Sequence, residues 1–428
     1  MPRLSPGATR WLLILTLALV LRTCAGLWWQ ARLPAGQSFF FGDSDSYWVL
    51  GRAIAQGEPY EYRNSDARVF RTPGYPVLLA GLFAVFGNDP PVMAARLLNA
   101  VLGTAAVGLV GWWTTRLFDA RSGEIAGVIA AVYPGGVAMS AFVLSEAPFC
   151  VFMLLQLAWW GAAIRAESTR SAMIPAFLCG AAGALATLIR PSWLLFTPLV
   201  VLMIAAIGPR RGQLALRGVF MLTAFALCMA PWWIRTAQVT GHFVATTLQV
   251  GASLYDGLNP EADGSSNMSF VPRLEAEERA AEMNTKPMDI FEYRLNERMA
   301  KAATDWAREN PRRFVELALV KLARIWNVWP NEPAMRRWPL ALVVMASYVP
   351  LLCLSVAGVW RYRRYPWPYA LCWLPAVYLT LLHVVFVGSI RYREPAMLAL
   401  LPLAADMLSS LVPPRGATRI LSSASSTT

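Results

Sequence analysis

The chain has 428 residues, of which 56% are hydrophobic and only 15% are charged. A water-soluble domain carries about 25% charged residues, so this balance argues against a soluble fold, and the high apolar content excludes a disordered chain. The formal net charge is +12, but the arginines are scattered over short turns and do not cluster on one face. We therefore expect no nucleic-acid partner.

Ten apolar stretches follow one another along the chain, and each is about as long as a transmembrane helix. A helix needs about 20 apolar residues to cross roughly 30 Å of hydrocarbon. Three stretches are less clean than the rest, for instance because Arg22 or Asp406 interrupts them. The sequence predicts an all-α polytopic membrane protein with about ten transmembrane helices. The predicted spans are 11–29, 97–115, 125–145, 147–164, 171–189, 191–209, 218–235, 338–360, 365–390 and 395–412.

Basic residues indicate the orientation of these helices. Lys and Arg beside short loops are retained on the cytoplasmic side, and the turns on the side of the N-terminus are rich in arginine, for example at Arg116, Arg165 and Arg217. We expect a multi-pass protein of the cell (inner or plasma) membrane with both termini in the cytoplasm. The first apolar stretch continues to Trp29 without a small-residue cleavage site, which favours a retained anchor over a cleaved signal peptide.

Two regions outside the predicted spans, 30–91 and 236–337, are long enough to fold, and both fall on the extracytoplasmic side. We therefore divide the chain into three parts. The first is a transmembrane module over 1–235 that includes the first external loop, the second is an extracytoplasmic helical module over 236–337, and the third comprises the C-terminal transmembrane helices and a short cytoplasmic tail over 338–428.

Apolar spacing predicts local structure in both external regions. In the first, Val49, Leu50, Ala53 and Ile54 recur at helical spacing and predict a short amphipathic helix along the membrane surface, with the two aspartates of the Asp-Ser-Asp sequence at its N-terminus. In the second, the stretch 251–267 is rich in Gly, Asn, Asp and Ser and predicts a loop. Apolar residues recur among charges over 274–326 and predict amphipathic helices, the last beginning near Pro311, since proline is tolerated in a first helical turn.

Seven charged residues lie at the extracytoplasmic ends of the predicted spans or in the first loop. A charge at or near the membrane is a functional hypothesis by default, because burying it is costly. Carboxylates and arginines on one face would suit a reaction in which a base activates a hydroxyl while cations hold a departing phosphate. The seven candidates are Asp43, Asp45, Glu146, Arg71, Arg190, Arg391 and Arg393.

These candidates also have purely structural interpretations. Asp43 could cap the helix that follows it, Asp45 could be a first-turn acid favoured by the helix dipole, and Glu146 could lie in a solvated turn. Arg190 and Arg391 stand at the ends of spans, where arginines commonly extend to the membrane interface. The residues alone leave both interpretations open.

The sequence offers little that could hold a metal. Asp43-Ser44-Asp45 matches the D-x-D pattern with which some sugar transferases bind a divalent metal, but a three-residue pattern is weak evidence. The six cysteines fall inside predicted helices, and the two histidines have no ligand-spaced partner. A divalent metal stays open but is not favoured, and we expect no required cofactor and no metal site.

Six short motifs occur in order along the chain. They are Asp43 four residues before Tyr47, RTPGYP at 71–76, LSEAP at 144–148, LIRP at 188–191, NPRRF at 310–314 and IRYREP at 390–395. Together they resemble the membrane-embedded C-type glycosyltransferases that use lipid-phosphate sugars. The resemblance is greatest to bacterial relatives of dolichyl-phosphate-mannose-protein mannosyltransferase and of the lipid A aminoarabinose transferase, and it extends over most of the chain.

The resemblance implies a C-type glycosyltransferase fold, in which the 1–235 module is catalytic. In this family an Asp in the first external loop acts as catalytic base or positions the acceptor, and the match assigns that role to Asp43. The Glu that usually follows is replaced by Ser44, so Asp45 or Glu146 would supply the second carboxylate. Both branches work without a catalytic metal, which argues against a metal pair in the D-x-D pattern.

The resemblance also implies a phosphate site and a reaction. The family's basic residue after the loop helices corresponds to Arg71, a ligand of the donor phosphate, and Arg190, Arg391 and Arg393 are candidates to share that role. The expected enzyme is a hexosyl- or pentosyl-type transferase. It would move a sugar from a polyprenyl-phosphate donor, with inversion, to a lipid, glycan or protein acceptor at the extracytoplasmic face, among membrane lipids.

Two other classes stay open. A surface-polysaccharide polymerase or ligase would also have a large external loop and arginines. A transporter or flippase of lipid-linked substrates would use many spans and intramembrane charges near the bilayer midplane. The candidate charges gather on one face, which favours an enzyme. A single transfer site further requires that Asp43 and the candidate arginines converge in the fold.

Overall fold

The computed structural model describes residues 5–207, 211–284, 288–329, 331, 338–365 and 367–411. The regular structure of these residues is entirely helical, as the sequence predicts. The first ten helices are α1 (Pro6–Gln30), α2 (Gly42–Gln56), α3 (Gly74–Phe86), α4 (Val92–Leu117), α5 (Ala120–Val132), α6 (Pro134–Ala141), α7 (Glu146–Arg165), α8 (Thr169–Ile189), α9 (Phe196–Ile207) and α10 (Arg211–Thr240). The others are α11 (Val250–Gly257), α12 (Val271–Asn284), α13 (Phe291–Glu309), α14 (Pro311–Ile325), α15 (Trp338–Arg361), α16 (Ala370–Val385) and α17 (Ile390–Leu411).

Seven of the helices that the structure describes are long and apolar enough to cross a membrane: α1, α4, α7, α8, α10, α15 and α17. The count becomes eight if α5 and α6, which are bent by 52° where they meet, form one span over the predicted 125–145. The predicted spans 191–209 and 365–390 fold as shorter apolar helices, α9 with 12 residues and α16 with 16 residues. Each of the ten predicted spans thus corresponds to an apolar helix or helix pair.

The bend between α5 and α6 lies at Tyr133 and Pro134. Tyr133 is extended (φ −60°, ψ 116°), since the residue before a proline avoids the helical region, and Pro134 has no N–H to continue the hydrogen bonds of α5. The guanidinium of Arg22 in α1 donates to the carbonyls of Ala130 and Ala131, at 3.0 Å each. Non-helical backbone at membrane depth needs such partners. The arginine that interrupts the first predicted span therefore satisfies the carbonyls freed in the broken one.

Small residues let α8 pack directly on its neighbours, as is common between membrane helices. A Cβ at Gly180 would lie 2.0 Å from the carbonyl oxygen of Met221 in α10, so no side chain fits there. On the side of α7, Gln156 donates to Thr197 Oγ1 and accepts from the indole N–H of Trp193, at 2.6 Å each. Both the donor and the acceptor of this buried amide are therefore hydrogen-bonded, to Thr197 at the start of α9 and to Trp193 just before it.

The two long regions between the predicted spans confirm two local predictions and correct one. The first-loop helix is α2, and α14 begins at Pro311. The predicted loop 251–267 is wrong in its first half, where α11 forms. A Cβ at Gly251 would lie 2.1 Å from the carbonyl oxygen of Asn296, and one at Gly257 would lie 2.3 Å from that of Phe386. These glycines permit close packing of a helix and do not mark a turn.

Replacing Gly180 by alanine should destabilise the helix bundle, because the new methyl group would overlap the backbone of α10. We expect Gly180→Ala to lower the free energy of unfolding by about 1–3 kcal/mol. The matched control is Gly81→Ala in α3, where a Cβ would meet nothing within 4 Å and helix propensity should add up to about 1 kcal/mol. Thermal unfolding in detergent measures both, and equal melting temperatures for the two variants would contradict the close contact.

Candidate functional site

A cavity of about 930 Å³ opens among α2, the bend between α5 and α6, α15 and the start of α17. Its wall has three parts. An apolar part lies on α6 and α15, and a polar part lies on α14 and the segment after α11. The charged part, near the starts of α2, α7 and α17, comprises Asp43, Arg71, Glu146, Arg391 and Glu394.

Asp43 lies in the first turn of α2 and is held by two arginines. Its Oδ1 accepts from Arg71 Nη2 at 2.7 Å, and its Oδ2 accepts from Arg391 Nη2 at 3.1 Å. The N-cap residue of α2 is Phe41, and no side chain caps the helix, so the capping interpretation of Asp43 is wrong. Burial raises the pKa of Asp43, but the two guanidinium groups outweigh burial and lower this pKa to about 2. The carboxylate is therefore ionised at neutral pH.

Glu146 is the second carboxylate of this cluster. It is the first residue of α7 and is 1% exposed, which excludes the solvated turn. Its Oε1 accepts from Arg190 Nη1 at 2.9 Å and also from Arg391 Nε. Arg391 thus bridges Asp43 and Glu146, and Arg190 lies behind Glu146, outside the lining of the cavity. The predicted convergence of Asp43, Arg71, Arg190 and Arg391 is confirmed.

Arg71 is oriented by contacts on both sides of its guanidinium. Its Nε donates to Ser46 Oγ at 3.0 Å, and the hydroxyl of Ser46 donates to the carbonyl of Asp43 at 2.7 Å. The guanidinium also lies 5.2 Å from the ring centroid of Tyr47. The Asp43-x-x-x-Tyr47 spacing therefore places both of its residues against the same arginine, on one face of α2.

Besides Arg190, two more predicted site residues do not line the cavity. Asp45 turns away from Asp43, and its Oδ2 accepts from Tyr62 Oη at 2.9 Å and from Arg63 Nη2 at 2.7 Å. Arg393 is buried beneath α14 and donates to the carbonyls of Ile325 and Asn327. Asp45 therefore pairs with the exposed Arg63, and Arg393 holds the C-terminal end of α14.

Glu292, on α13, is a residue of the site region that the sequence analysis missed. Its carboxylate is 7% exposed and accepts the backbone N–H groups of Arg68 and Val69, at 2.7 and 2.9 Å. Arg235 donates to the carbonyl of Arg68 at 3.0 Å. These contacts fix the segment that leads to Arg71. No sequence signal distinguishes Glu292 from the many exposed acidic residues of the same region.

The comparisons with known proteins agree with this geometry. Residues 78–247 match the family model described as dolichyl-phosphate-mannose-protein mannosyltransferase, which confirms the resemblance seen in the motifs. No curated protein sequence matches the chain. Among solved structures, the archaeal oligosaccharyltransferase AglB from Archaeoglobus fulgidus, in complex with an inhibitory peptide and a dolichol-phosphate, matches with a TM-score of 0.59 and 14% identity. The match covers 98% of this chain and 52% of AglB.

The protein has the C-type glycosyltransferase fold. The apo form of the Archaeoglobus fulgidus oligosaccharyltransferase gives the same TM-score of 0.59 at 14% identity, over 97% of this chain and 52% of that one. ArnT from Cupriavidus metallidurans bound to undecaprenyl phosphate matches at 16% identity over 93% of this chain and 78% of its own, with a TM-score of 0.47. The chain spans about half the length of the archaeal oligosaccharyltransferase.

The D-x-D pattern does not form a pair of facing carboxylates in this C-type fold. Asp43 is engaged by Arg71 and Arg391, and Asp45 is engaged by Arg63, on different sides of α2. Within the described part of the chain, no group of three or more His, Cys, Asp or Glu side chains is placed to hold a metal ion. That the protein needs no cofactor stays a prediction.

Glu292→Gln should change how stability depends on pH. Burial raises the pKa of Glu292 from its ordinary value of 4.5 to about 7, so between these values the folded chain keeps a proton that the unfolded chain has lost. The contribution of this group to the free energy of unfolding is full below pH 4.5 and is lost as the pH rises through 7. Relative to Glu292→Gln, the wild type should lose on the order of 3 kcal/mol over this window.

Denaturation at several pH values checks this prediction. The control is Glu309→Gln, an exposed residue at the end of the same helix, which should follow the wild type. A difference between wild type and Glu292→Gln that does not vary with pH would show that Glu292 does not titrate in this range.

Proposed function

We propose that the protein is a glycosyltransferase that moves a sugar from a polyprenyl-phosphate donor to an acceptor hydroxyl, with inversion, at the extracytoplasmic face of the cell membrane. The observation that carries this proposal is the ionised carboxylate of Asp43 held between Arg71 and Arg391 in the wall of a large cavity. A carboxylate and two cations at one point can serve both partners of a transfer, the attacking hydroxyl and the leaving phosphate.

The wall of the cavity supports a lipid-linked donor. Beside the charged part, apolar side chains of α6 and α15 line the cavity, among them Met139, Phe142, Leu340 and Val344. A phosphate at the arginines would place its polyprenyl chain against this apolar part. AglB and ArnT have been solved with dolichol-phosphate and undecaprenyl phosphate, and we extend that donor chemistry to this chain by proposal only.

In the proposed step, an oxygen of the acceptor attacks the anomeric carbon from the side opposite the phosphate, and its proton passes to Asp43. The bond between that carbon and the phosphate oxygen breaks, and its electron pair stays on the phosphate. Arg71 and Arg391 stabilise the charge that develops there. Attack opposite the leaving group inverts the configuration.

The contacts of Asp43 also indicate how it becomes basic enough to act. With both arginines bound, its pKa is about 2, which makes the carboxylate a weak proton acceptor. A donor phosphate competes for Arg71 and Arg391, and each contact that it takes raises the pKa of Asp43 towards the value set by burial. Donor binding would thus prepare the base, and the acceptor proton would be accepted only when the donor is in place.

Glu146 contributes through its position. It is the second carboxylate of the cluster, and its Oε1 accepts from both Arg190 and Arg391, so it holds these two arginines in place. Arg190 lies behind Glu146 as seen from the cavity and acts on the site through its contact with Glu146. We further propose that the sugar is a hexose or a pentose and that both termini lie in the cytoplasm, on the side of the arginine-rich turns.

Asp43→Asn should abolish transfer while the protein stays folded. The amide keeps the shape of the side chain but cannot accept a proton, so we expect the rate to fall by about 10²- to 10⁴-fold. The measurement is release of polyprenyl phosphate from labelled polyprenyl-phosphate sugars by the purified protein, with a membrane extract as acceptor.

Two further aspartates make this test specific. Asp45→Asn should keep most of the activity, because Asp45 faces Arg63 and not the cavity, and Asp89→Asn, at an exposed turn, is the neutral control. If the wild type consumes no donor, or if Asp43→Asn releases polyprenyl phosphate as fast as the wild type, the transfer proposal fails. The polymerase and transporter interpretations would then take its place.

A further inference from the structure

Two oppositely charged side chains in the wall of the cavity lie near each other without forming an ion pair. Asp263 is on the segment after α11, and Arg324 is on α14. Within the described part of the chain, neither side chain has a charged partner within 4.0 Å. The hydrogen bonds from Ser265 lower the pKa of Asp263 most, and the positive charge of Arg324 lowers it as well. The two charges therefore interact across a gap.

Backbone contacts fix both sides of this gap. The Nε of Arg324 donates to the carbonyl of Gly388 at 3.2 Å, and the N–H of Gly388 donates to the carbonyl of Gly264 at 3.1 Å. Gly264 is the residue after Asp263. A Cβ at Gly264 would lie 3.3 Å from Cδ of Arg324, so the segment packs against the stem of the arginine. The position of the pair is therefore set by the fold.

The helix that carries the arginine is itself fixed beside the proposed reaction centre. Lys321, one turn earlier on α14, is fully buried, and its Nζ donates to the carbonyls of Gly257 and Val385 at 2.8 Å each. Arg391 follows Gly388 by three residues, which span at most about 11 Å, and both residues line the cavity. The gap and the charged cluster thus lie in the wall of one cavity and are joined by one short segment.

Both members of the pair have unused hydrogen-bonding groups. The Oδ1 of Asp263 accepts from the backbone N–H and the hydroxyl of Ser265, whereas its Oδ2 has no partner among the described residues. A guanidinium has five N–H donors, and Arg324 uses only the one on Nε in the part of the chain that the structure describes. The wall therefore offers an acceptor and four donors side by side, and the charges of the two side chains cancel.

These groups fit the hydroxyls of a sugar. A hydroxyl both donates and accepts, so neighbouring hydroxyls of one ring can donate to the carboxylate and accept from the guanidinium. Since the two charges cancel, an uncharged ligand is favoured over an anion or a cation. The other side chains of this wall are polar as well, which suits a hydroxylated ligand better than a polypeptide with apolar side chains. They are Gln249, Ser265, Ser266 and Asn331.

We propose that Asp263 and Arg324 form a sugar-binding subsite and that the acceptor is a neutral glycan. This inference rests on the proposed function. The subsite holds one sugar of the acceptor, and a neighbouring sugar presents the attacking hydroxyl to Asp43. The apolar part of the wall, on α6 and α15, stays available to the polyprenyl chain. Donor and acceptor therefore reach the reaction centre along different parts of the wall.

The chemical class of the acceptor is tested with treated membrane extracts in the transfer assay. Periodate cleaves the carbon–carbon bond between neighbouring hydroxyls of a sugar, whereas a protease digests protein. Once the reagents are removed, the extract treated with periodate should no longer support release of polyprenyl phosphate by the wild type. The extract treated with protease should still support it. Loss of activity after protease treatment, or survival after periodate treatment, overturns the glycan acceptor.

The subsite is tested with two substitutions and two matched controls. Asp263→Asn keeps the oxygen that accepts from Ser265 but replaces the free oxygen by an amide nitrogen, and Arg324→Gln removes the terminal donors. Each should raise the extract concentration needed for half-maximal rate by about 10- to 100-fold and leave KM for the donor unchanged. Asp89→Asn, at an exposed turn, and Arg312→Gln, whose side chain is 94% exposed on α14, should match the wild type.

The outcomes separate this inference from the proposed function. If either substitution leaves the half-saturating extract concentration unchanged, or raises KM for the donor equally, the subsite is overturned. If the wild type releases no polyprenyl phosphate from any donor, the proposed function has failed. Binding of neutral trisaccharides to the purified protein without a donor then decides on the subsite alone. Binding that Asp263→Asn and Arg324→Gln abolish would retain the subsite, and absence of binding would remove it.

Discussion

The arrangement of the site depends on one side chain, Arg391, which bridges two carboxylates from different parts of the chain. Asp43 comes from the first loop and Glu146 from the start of α7, and neither would stay ionised in a confined site without a cation. Because Arg391 touches both, it joins α2, α7 and α17 at a single point. The bridge is charge-assisted and geometrically demanding, so a small displacement of any of these helices would separate the proposed base from the proposed phosphate site.

Helices α13 and α14 support this bridge by fixing the two segments that carry Arg71 and Arg391. Glu292 on α13 holds the backbone two residues before Arg71, and Lys321 on α14 holds the backbone of the segment before Arg391. Both are buried ionisable side chains that hydrogen-bond to backbone groups, and burying such groups is costly unless they are hydrogen-bonded. The region that follows α10 therefore supports the proposed mechanism. It does so by fixing the main-chain positions of the segments that carry Arg71 and Arg391.

Much of the fold and part of the site follow from the sequence. The positions of the membrane spans follow from the lengths of the apolar stretches. The motifs that contain Asp43, Arg71, Arg190 and Arg391 predict the charged cluster, because the proposed reaction at the helix ends needs a carboxylate and arginines. The direction in which a side chain of a motif points does not follow from the sequence. Asp45 and Arg393 stand two residues after Asp43 and Arg391 yet point elsewhere, since side chains two positions apart on a helix face different sides. Glu292 belongs to an ordinary amphipathic pattern, and only tertiary packing distinguishes it.

The bend at Pro134 has a consequence for how this sequence can vary over evolutionary time. Arg22 donates to the carbonyls of Ala130 and Ala131, which a continuous helix would pair with the N–H groups at positions 134 and 135. A replacement of Pro134 that straightened the helix would leave the buried Arg22 with only the carbonyl of Ala18 as acceptor, and a loss of Arg22 would leave the two carbonyls unpaired among apolar side chains. Neither change alone is tolerable, so we expect the two positions to be inherited as a pair across homologues.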